Sequence, residues 1–407
     1  MLPLERYRVI DLGTAFAGSM PGQYLADLGA QVIKVEARTR PDGLRYGPGP
    51  VLKSKAKSRE DLLELNPNFH AINRGKQGIT ADITSRDGVR LIKELVRVSD
   101  VWIDNFTPDV LPKHGLDYRG LRQVNPTLVM VSLSVAGQEG PLRDTRAYAN
   151  TITALSGISP LLGYEDTTHP EDLHIAYGDT NAAIFCALAV LTALFHRRKT
   201  GRGQFIDLSA WESTACLLGE PMLEHQLLGI VPGHQGSRHP YAAPHGNYPC
   251  QGDDAWVCIA VTTDEEWQGL CRAMGRPAWA QDPRFADGYA RTKNRAALDS
   301  PVAEWTRQRT PQEASALLQR EGVPAAPVLT VRDRATDPAL RQRYINDVEH
   351  PMFGMAPVYA LPWRLKRTPP QVRGPAPLLG QHNADVFGEL LGLPPGDMQA
   401  LIKQGVL

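Results

Sequence analysis

Two short, almost continuously apolar segments near the start of the sequence constrain the fold most. They lie at 7–11 and 31–36, and the stretch between them contains a helical pattern at 23–28 that Gly29 closes. Apolar runs of this kind are typical of parallel strands that are covered on both faces. The alternation continues with a helical pattern at 87–98 and strands at 101–103 and 128–133. The sequence therefore predicts an α/β domain with right-handed crossovers.

A second, smaller domain is predicted for residues 230–340. Its start, 233–245, is dense in glycine, histidine and proline, and an apolar strand follows at 255–261. Thr263 and Thr310 each begin a capping box, which is typical of a helix N-terminus. We expect residues 1–225 to form the large domain. The proline-rich stretch 341–407 is predicted to be an extended strap that ends in a short amphipathic helix around 386–391.

Charge and composition exclude several classes of protein. The chain has 44 basic and 44 acidic residues, so it has no bulk electrostatic reason to bind nucleic acid or an anionic membrane. Its longest apolar run, 182–195, is shorter than the ~20 residues that a membrane span needs, and predicts a buried helix. Five cysteines without a C-x-x-C pair and a start unlike a signal peptide predict a cytoplasmic protein with reduced thiols.

Common cofactor and metal motifs are absent from the sequence. Gly13, Gly18 and Gly22 do not form the G-x-G-x-x-G turn of a dinucleotide site, and there is no P-loop. His234, His239 and His245 are spaced too widely for a typical zinc site, so we expect no metal. H-E-x-x-H and G-x-S-x-G are also absent, which disfavours zincins and serine hydrolases.

Asp179 stands where the apolar helix is predicted to begin, after Gly178 and before Thr180 and Asn181. One interpretation is a helix N-cap, a role in which aspartate is common. The other is a nucleophilic carboxylate at a dry, electropositive helix terminus, where backbone N–H groups stabilise an oxyanion. The pattern of helix signals alone leaves both open.

Several motifs along the whole chain together resemble the family III CoA-transferases, the superfamily of formyl-CoA transferase, carnitine CoA-transferase and acyl-CoA racemase. The motifs are 25–36, 73–76, 104–106, 178–181, 200–207, 238–240, 322–328 and 377–382. The resemblance implies a Rossmann-like large domain built from both chain ends, a smaller α+β domain, and an interlocked homodimer or heterodimer. It also implies that coenzyme A enters as the substrate thioester and that no metal takes part.

In such enzymes an aspartate at the position of Asp179 attacks an acyl-CoA thioester, and an aspartyl-CoA thioester then passes CoA to an acceptor acid. The resemblance also implies the CoA-binding positions. They are Ala17 and Gly18 in the first loop, Arg38, Asn105 and Phe106, Lys113 and Arg146, and the active-site tyrosine Tyr148. Plain surface charge is the alternative interpretation of Lys113 and Arg146.

Tyr148 favours transfer over racemisation. Racemases of the superfamily carry a histidine about thirty residues before the aspartate, whereas this chain has Tyr148 there and no histidine between His114 and His169. A phenol is a poorer general base than an imidazole near neutral pH. We therefore predict transfer of CoA to a carboxylic acid. An acyl-CoA racemase or intramolecular CoA-transferring isomerase is the first alternative, and a non-catalytic subunit of a heteromeric transferase is the second.

The substrate acids are predicted only broadly. The insertion 46–68 and the loop 234–245 depart from formyl-CoA transferase, which favours an acceptor larger than oxalate, dicarboxylic or aromatic, with succinyl-CoA as the donor. The insertion contains the basic residues Lys53, Lys55, Lys57 and Arg59. It is interpreted either as a lid over an anionic ligand or as a solvated loop.

Overall fold

The structure is a computed structural model that describes residues 1–46, 56–58, 60–352 and 354–407. Its strands are β1 (Arg8–Asp11), β2 (Gln31–Glu36), β3 (Gln77–Thr80), β4 (Val101–Asp104), β5 (Val129–Ser134), β6 (Gln204–Ser209), β7 (His245–Pro249), β8 (Trp256–Ala260), β9 (Ala325–Pro327), β10 (Ile345–His350) and β11 (Gly354–Tyr359). Its α-helices are α1 (Ala15–Asp27), α2 (Pro67–Asn73), α3 (Arg86–Arg97), α4 (Val110–Lys113), α5 (Tyr118–Val124), α6 (Ala149–Ser156), α7 (Tyr177–Thr200), α8 (Ala210–Ala215), α9 (Gly219–Leu228), α10 (Asp264–Ala273), α11 (Gly288–Lys293), α12 (Ala296–Arg307), α13 (Pro311–Arg320), α14 (Val331–Thr336), α15 (Pro338–Tyr344) and α16 (Pro395–Lys403).

A six-stranded parallel sheet organises the first part of the chain. Its strand order is β3-β2-β1-β4-β5-β6, and Val9 of β1 pairs with Val32 on one side and Val101 on the other. This is the order of the doubly wound fold, in which the chain winds outwards in two directions from a central strand. The predicted α/β class is confirmed.

The central strands are buried along their whole length because helices cover both faces of the sheet. All residues of β4 and β5 are buried. The helical pattern read at 87–98 is α3, which buries Leu91, Ile92, Leu95 and Val96 and whose first turn is capped by the Ser85 hydroxyl. The sequence periodicity therefore predicted both the strands and the covering helix.

Helix α7 is apolar around its whole circumference, yet only one face of it is buried. Ala182, Cys186 and Val190 lie in the core that α1 and β5 share, whereas the side chains of Ile184 and Leu188 are more than half exposed. Within the single chain, the predicted burial of this helix is therefore confirmed for one face only. By length and composition α7 is also long and apolar enough to cross a membrane, and 44% of its most apolar stretch is buried in the protein.

The chain divides into two compact units, residues 1–158, 173–222 and 339–407, and residues 159–172 and 223–338. In the second unit β7, β8 and β9 form an antiparallel sheet beside α10, α12 and α13. Its core contains Val257, Ile259 and Trp267. The capping boxes predicted at Thr263 and Thr310 are both formed.

In the first unit, the proline-rich C-terminal segment runs along the β3 edge of the sheet. Gly78 N donates to the His382 ring, Thr80 N donates to the Asn383 side chain, and the ring of Pro377 occupies the space beside Gly78. The amphipathic turn predicted around 386–391 is a π-helix at Ala384–Leu390 that buries Val386 and Phe387. Both chain ends therefore contribute to the same unit.

Candidate active site

The loops that follow β1 and β4 meet at one edge of the parallel sheet. Because β1 and β4 are neighbours whose following helices cover opposite faces, their carboxyl ends form the crevice where doubly wound folds bind ligands. Thr14, after β1, and Asn105, after β4, join the two loops. Thr14 N donates to Asn105 Oδ1 at 2.8 Å, and Asn105 Nδ2 donates to the Thr14 carbonyl at 3.0 Å.

Two glycines allow the loops to approach this closely. A Cβ on Gly18 would lie 2.5 Å from Asn105 Oδ1 and 2.8 Å from the Cα of Gly13. A Cβ on Gly13 would lie 2.0 Å from the Gly18 carbonyl oxygen. The structure thus brings Gly18, its buried neighbour Ala17, Asn105 and the half-buried Phe106 to the same crevice.

Helix α7 begins at this same edge. Its last turn lies at the opposite edge, where Arg197 donates to the carbonyls of Asp100 and Thr127, just before β4 and β5. The helix therefore runs antiparallel to the strands, and its N-terminal turn lies at their carboxyl ends. Asp179 is the third residue of α7, and the N-cap is Ala176. The N-cap interpretation of Asp179 was therefore wrong.

The Asp179 carboxylate is partly buried and unpartnered. Burial alone raises the pKa of this carboxyl to about 6. Within the residues that the structure describes, no hydrogen bond or ion pair reaches its oxygens. Ionised and desolvated groups without a partner are rare, and they are concentrated at functional sites.

Asp104, at the end of β4, is a contrasting carboxyl at the same edge. Burial raises its pKa to about 6 as well, but it accepts hydrogen bonds from the Trp102 indole, the Ser132 hydroxyl and the Phe106 backbone. These bonds fix its orientation, and we assign it a structural role. Of the two carboxyls, only Asp179 is free to react.

Tyr148 is the N-cap residue of α6, beside the first turn of α7. The Ala149 carbonyl oxygen would lie 3.3 Å from a Cβ on Gly178, and Ile152 of the same helix would lie 2.8 Å from it. Tyr148 is held through its backbone by the Thr151 hydroxyl, and the residue is 86% exposed. The sequence neighbours of Tyr148 and Asp179 are therefore in contact, while the phenol faces solvent.

The predicted basic positions lie at the surface. Arg38 follows β2 at the same edge, and its Nε donates to the Leu407 carbonyl oxygen at 3.2 Å. Lys113 ends α4, and Arg146 precedes α6; both are exposed and have no ion pair in the described part of the chain. Among the basic residues of the 46–68 insertion, Lys53, Lys55 and Arg59 lie outside the described residues.

The histidine-rich loop, 234–245, belongs to the second unit. His234 contacts the Thr167 carbonyl and His245 contacts the Ser237 carbonyl, so both rings have backbone partners. In the described residues no group of three or more His, Cys, Asp or Glu side chains is arranged to hold a metal ion.

Sequence reasoning missed a set of buried charged residues beneath the first loop. Lys34 pairs with Asp42 at 2.8 Å and Lys76 pairs with Asp11 at 2.7 Å, and all four side chains are fully buried. A lysine inside the apolar strand β2 was the available signal, since a lysine is almost never fully buried without a partner. The partner Asp42 comes from the segment after β2, which no sequence periodicity marks.

Comparison with known proteins gives consistent matches along the chain. A family model described as CoA-transferase family III matches residues 4–383. Succinyl-CoA–D-citramalate CoA-transferase of Chloroflexus aurantiacus is 35% identical over 100% of this chain and 98% of its own, and succinate–glutarate CoA-transferase of Agrobacterium fabrum is 32% identical over 95% and 96%. The crystal structure of a CAIB/BAIF family protein from Brucella suis aligns with a TM-score of 0.84 at 33% identity, covering 96% of this chain and 99% of that one.

Proposed function

The chain belongs to CoA-transferase family III, and from that premise we propose that it transfers CoA from succinyl-CoA to a small dicarboxylic acid through a covalent intermediate on Asp179. The single observation that carries the proposal is the unpartnered, partly desolvated carboxylate of Asp179 at the carboxyl edge of the sheet. With a pKa of about 6, roughly nine-tenths of this group is ionised at pH 7.

The first half of the reaction loads CoA onto the enzyme. An Asp179 oxygen attacks the thioester carbonyl of the donor, the C–S bond breaks, and a mixed anhydride and CoA thiolate result. The thiolate then attacks the Asp179 carbonyl of the anhydride. Its C–S bond forms as the anhydride C–O bond breaks, which releases succinate and leaves an aspartyl-CoA thioester.

The second half repeats these steps in reverse with the acceptor. The acceptor carboxylate attacks the aspartyl-CoA carbonyl and expels the thiolate, which forms a new mixed anhydride. Attack of the thiolate on the acceptor's acyl carbon releases the new acyl-CoA and restores the Asp179 carboxylate. Protons and electrons balance without a co-reactant, because carboxylates and thiolates alone are exchanged.

The nature of the acids is inferred from the relatives. Their names include succinyl-CoA or succinate together with citramalate or glutarate, which are dicarboxylic acids of four or five carbons. We propose the same class here, and the described residues give no reason to prefer an aromatic acceptor.

Racemisation is the first alternative, and the exposed phenol of Tyr148 disfavours it. Proton exchange at the α-carbon needs acid–base groups on the substrate, and no histidine occurs between His114 and His169. Exchange of the α-proton into D₂O would indicate a racemase. Migration of CoA within one substrate, without an added acceptor, would indicate an isomerase.

We also propose that the protein works as a dimer, a homodimer or a heterodimer. The outward face of α7 supports this, because Ile184, Leu188 and Phe195 are each more than half exposed on one helix. Apolar patches of this kind mark interaction surfaces in many proteins. Sedimentation of the purified chain alone tests the proposal: a monomer would indicate that a second, paralogous subunit is required.

The covalent intermediate is tested by trapping it with hydroxylamine. The protein is incubated with succinyl-CoA and hydroxylamine, which converts an activated carboxylate to a stable hydroxamate, and its peptides are analysed by mass spectrometry. We expect a hydroxamate on Asp179 and none on Asp104, which serves as the internal control. No hydroxamate across a panel of dicarboxylic CoA esters, from folded protein, would contradict the mechanism and favour the racemase or a non-catalytic subunit.

A further inference from the structure

The turn between β1 and α1 is held from beneath by fully buried charged side chains. Lys34 Nζ donates to the Gly13 carbonyl and to Ser19 Oγ, and it pairs with Asp42 at 2.8 Å. Asp11, at the end of β1, accepts from Gly13 N at 2.9 Å and pairs with Lys76. The two ion pairs therefore bind the turn directly at Gly13.

Ala15, at the start of α1, has a backbone conformation that L-residues avoid. Its φ is +55°, in the left-handed region where a side chain crowds the following carbonyl. The N–H of Ala15 donates to Asp42 Oδ1 at 3.1 Å, while the other oxygen of Asp42 accepts from Ser19 Oγ and Lys34 Nζ. One buried carboxylate thus holds the strained residue and joins it to the lysine beneath.

The energetics of buried ion pairs indicate a role other than stability. Replacing such a pair with apolar residues of similar volume often leaves stability unchanged or raises it. Strained backbone of this kind is concentrated at active sites. The strain at Ala15 and the buried pair that holds it lie together beside Asn105 and Gly18, which the candidate site already contains.

We propose that Asp42, together with Lys34 and Ser19, is a positioning group for transfer: it holds Ala15 in the left-handed conformation so that the first turn of α1 faces the reacting thioester. Asp42 accepts from the N–H of Ala15, the first residue of α1. The next two N–H groups, those of Phe16 and Ala17, have no acceptor within the helix, and they are the groups that this turn presents. The inference rests on the proposed function, since it assigns a role to the loop at Ala17 and Gly18.

The test removes the pair without leaving a buried charge unpaired. In the Lys34→Met/Asp42→Val variant, Ala15 loses the acceptor that holds it. The usual cost of a left-handed L-residue corresponds to roughly 5- to 30-fold in an equilibrium constant, and we expect kcat to fall by about that factor. KM for succinyl-CoA should stay within about twofold, because Arg38, the predicted nucleotide contact, is retained.

Adding Ala15→Gly to this variant distinguishes a positioning role from a purely structural one. If the pair only stabilised the fold, this substitution would not restore kcat. Glycine adopts positive φ without a side-chain clash, so the turn forms without Asp42. We expect the triple variant to regain kcat to within about threefold of the wild type, although it does not regain the ion pair. For both variants, kcat is expressed per active enzyme molecule. The number of active molecules is the amount of protein that forms a hydroxamate on Asp179 at the end of the trapping reaction.

The other end of α1 offers a matched control. Asp27 pairs with Arg74 at 2.6 Å, and both side chains are buried, but Asp27 binds no part of the Gly13–Ala15 turn. We expect Arg74→Met/Asp27→Val to change Tm by an amount comparable to the first pair variant while kcat stays at the wild-type value. If this control lowered kcat equally, the effect would be general and the proposal would be wrong.

Two further outcomes decide the matter. Wild-type kcat in Lys34→Met/Asp42→Val, or a triple variant whose Tm recovers while its kcat does not, would overturn the positioning role. If the pair variant does not fold, Ser19→Ala replaces it, because it removes only the hydroxyl between Gly13 and Asp42; kcat should fall about 2- to 5-fold and Ala15→Gly should restore it. Absence of a hydroxamate in the wild type would instead contradict the proposed function.

Discussion

The turn after β1 and the first turn of α7 lie at the same edge of the sheet, but they differ in how far their polar groups are hydrogen-bonded. In the turn after β1, three successive backbone N–H groups donate to side chains: Gly13 to Asp11, Thr14 to Asn105 and Ala15 to Asp42. In α7, the Asp179 carboxylate has no described partner and its pKa is raised to about 6 by burial alone. One region is fixed by many contacts, and the other keeps one group unsatisfied.

This difference separates positioning from reactivity. A carboxylate that accepts strong hydrogen bonds is a poorer nucleophile, because those bonds stabilise the charge that it must donate. Burial without a partner has the opposite effect, but it costs folding stability. Because the turn after β1 is rigid, it is able to hold the substrate in position while the Asp179 carboxylate remains free of hydrogen bonds.

Asp179→Asn gives the largest expected effect, because it removes the unpartnered carboxylate that distinguishes α7 from the turn after β1. We expect kcat to fall on the order of 10³-fold or more, because an amide oxygen does not form the anhydride. Stability at pH 8 should rise by roughly 1–3 kcal/mol, because the amide has no charge to desolvate. Both are measured on one preparation, by CoA transfer and by urea unfolding.

The sign of the stability change depends on pH. A carboxyl whose pKa is raised on folding favours the folded state when protonated, and this contribution is complete below about pH 4 and lost as the pH rises through 6. The gain of Asp179→Asn should therefore disappear at pH 4. A variant that is less stable than the wild type at pH 8 would mean that Asp179 has a structural role.

Gly18→Ala disturbs the fixed side of the comparison. The new Cβ would lie 2.5 Å from Asn105 Oδ1 and 2.8 Å from the Gly13 Cα, so the loops after β1 and β4 must separate. We expect kcat to fall about 10- to 100-fold and stability to fall by about 1–3 kcal/mol. Gly396→Ala in α16 is the control, because a Cβ there meets open space and should leave kcat unchanged.

The pH dependence of transfer sharpens the comparison between Asp179 and Asp104. With a pKa of about 6, Asp179 becomes protonated in mild acid, and kcat/KM should be about tenfold lower at pH 5 than on the plateau. Asp104 titrates in the same range, but its three donors already satisfy it. The acid limb should persist in Asp104→Asn; loss of the limb in this variant would assign it to Asp104 instead.

The sequence predicted those features that depend on local patterns. The strands, α3, the capping boxes and the position of Asp179 in a helical first turn follow from periodicity and from residue type. The pairing of Lys34 with Asp42 and the strain at Ala15 depend on tertiary contacts, and a lysine in an apolar strand gives only a partial signal. The exposed face of α7 was missed because an apolar helix does not reveal whether its own chain covers it.

Arg38→Ala gives the smallest expected effect, and it tests whether Arg38, after β2, binds the nucleotide part of CoA. Arg38 is exposed, and its Nε is held by the Leu407 carbonyl, so an electrostatic contact to CoA there is partly screened by water. We expect KM to rise roughly 2- to 5-fold and equally for every CoA ester, because the nucleotide part is common to them all. Arg40→Ala, two residues along the same exposed segment, should leave KM unchanged. If KM rose for only one acyl group, Arg38 would instead contact the acyl part of the substrate. The turn after β1 would then bind the nucleotide part of CoA without a contribution from Arg38.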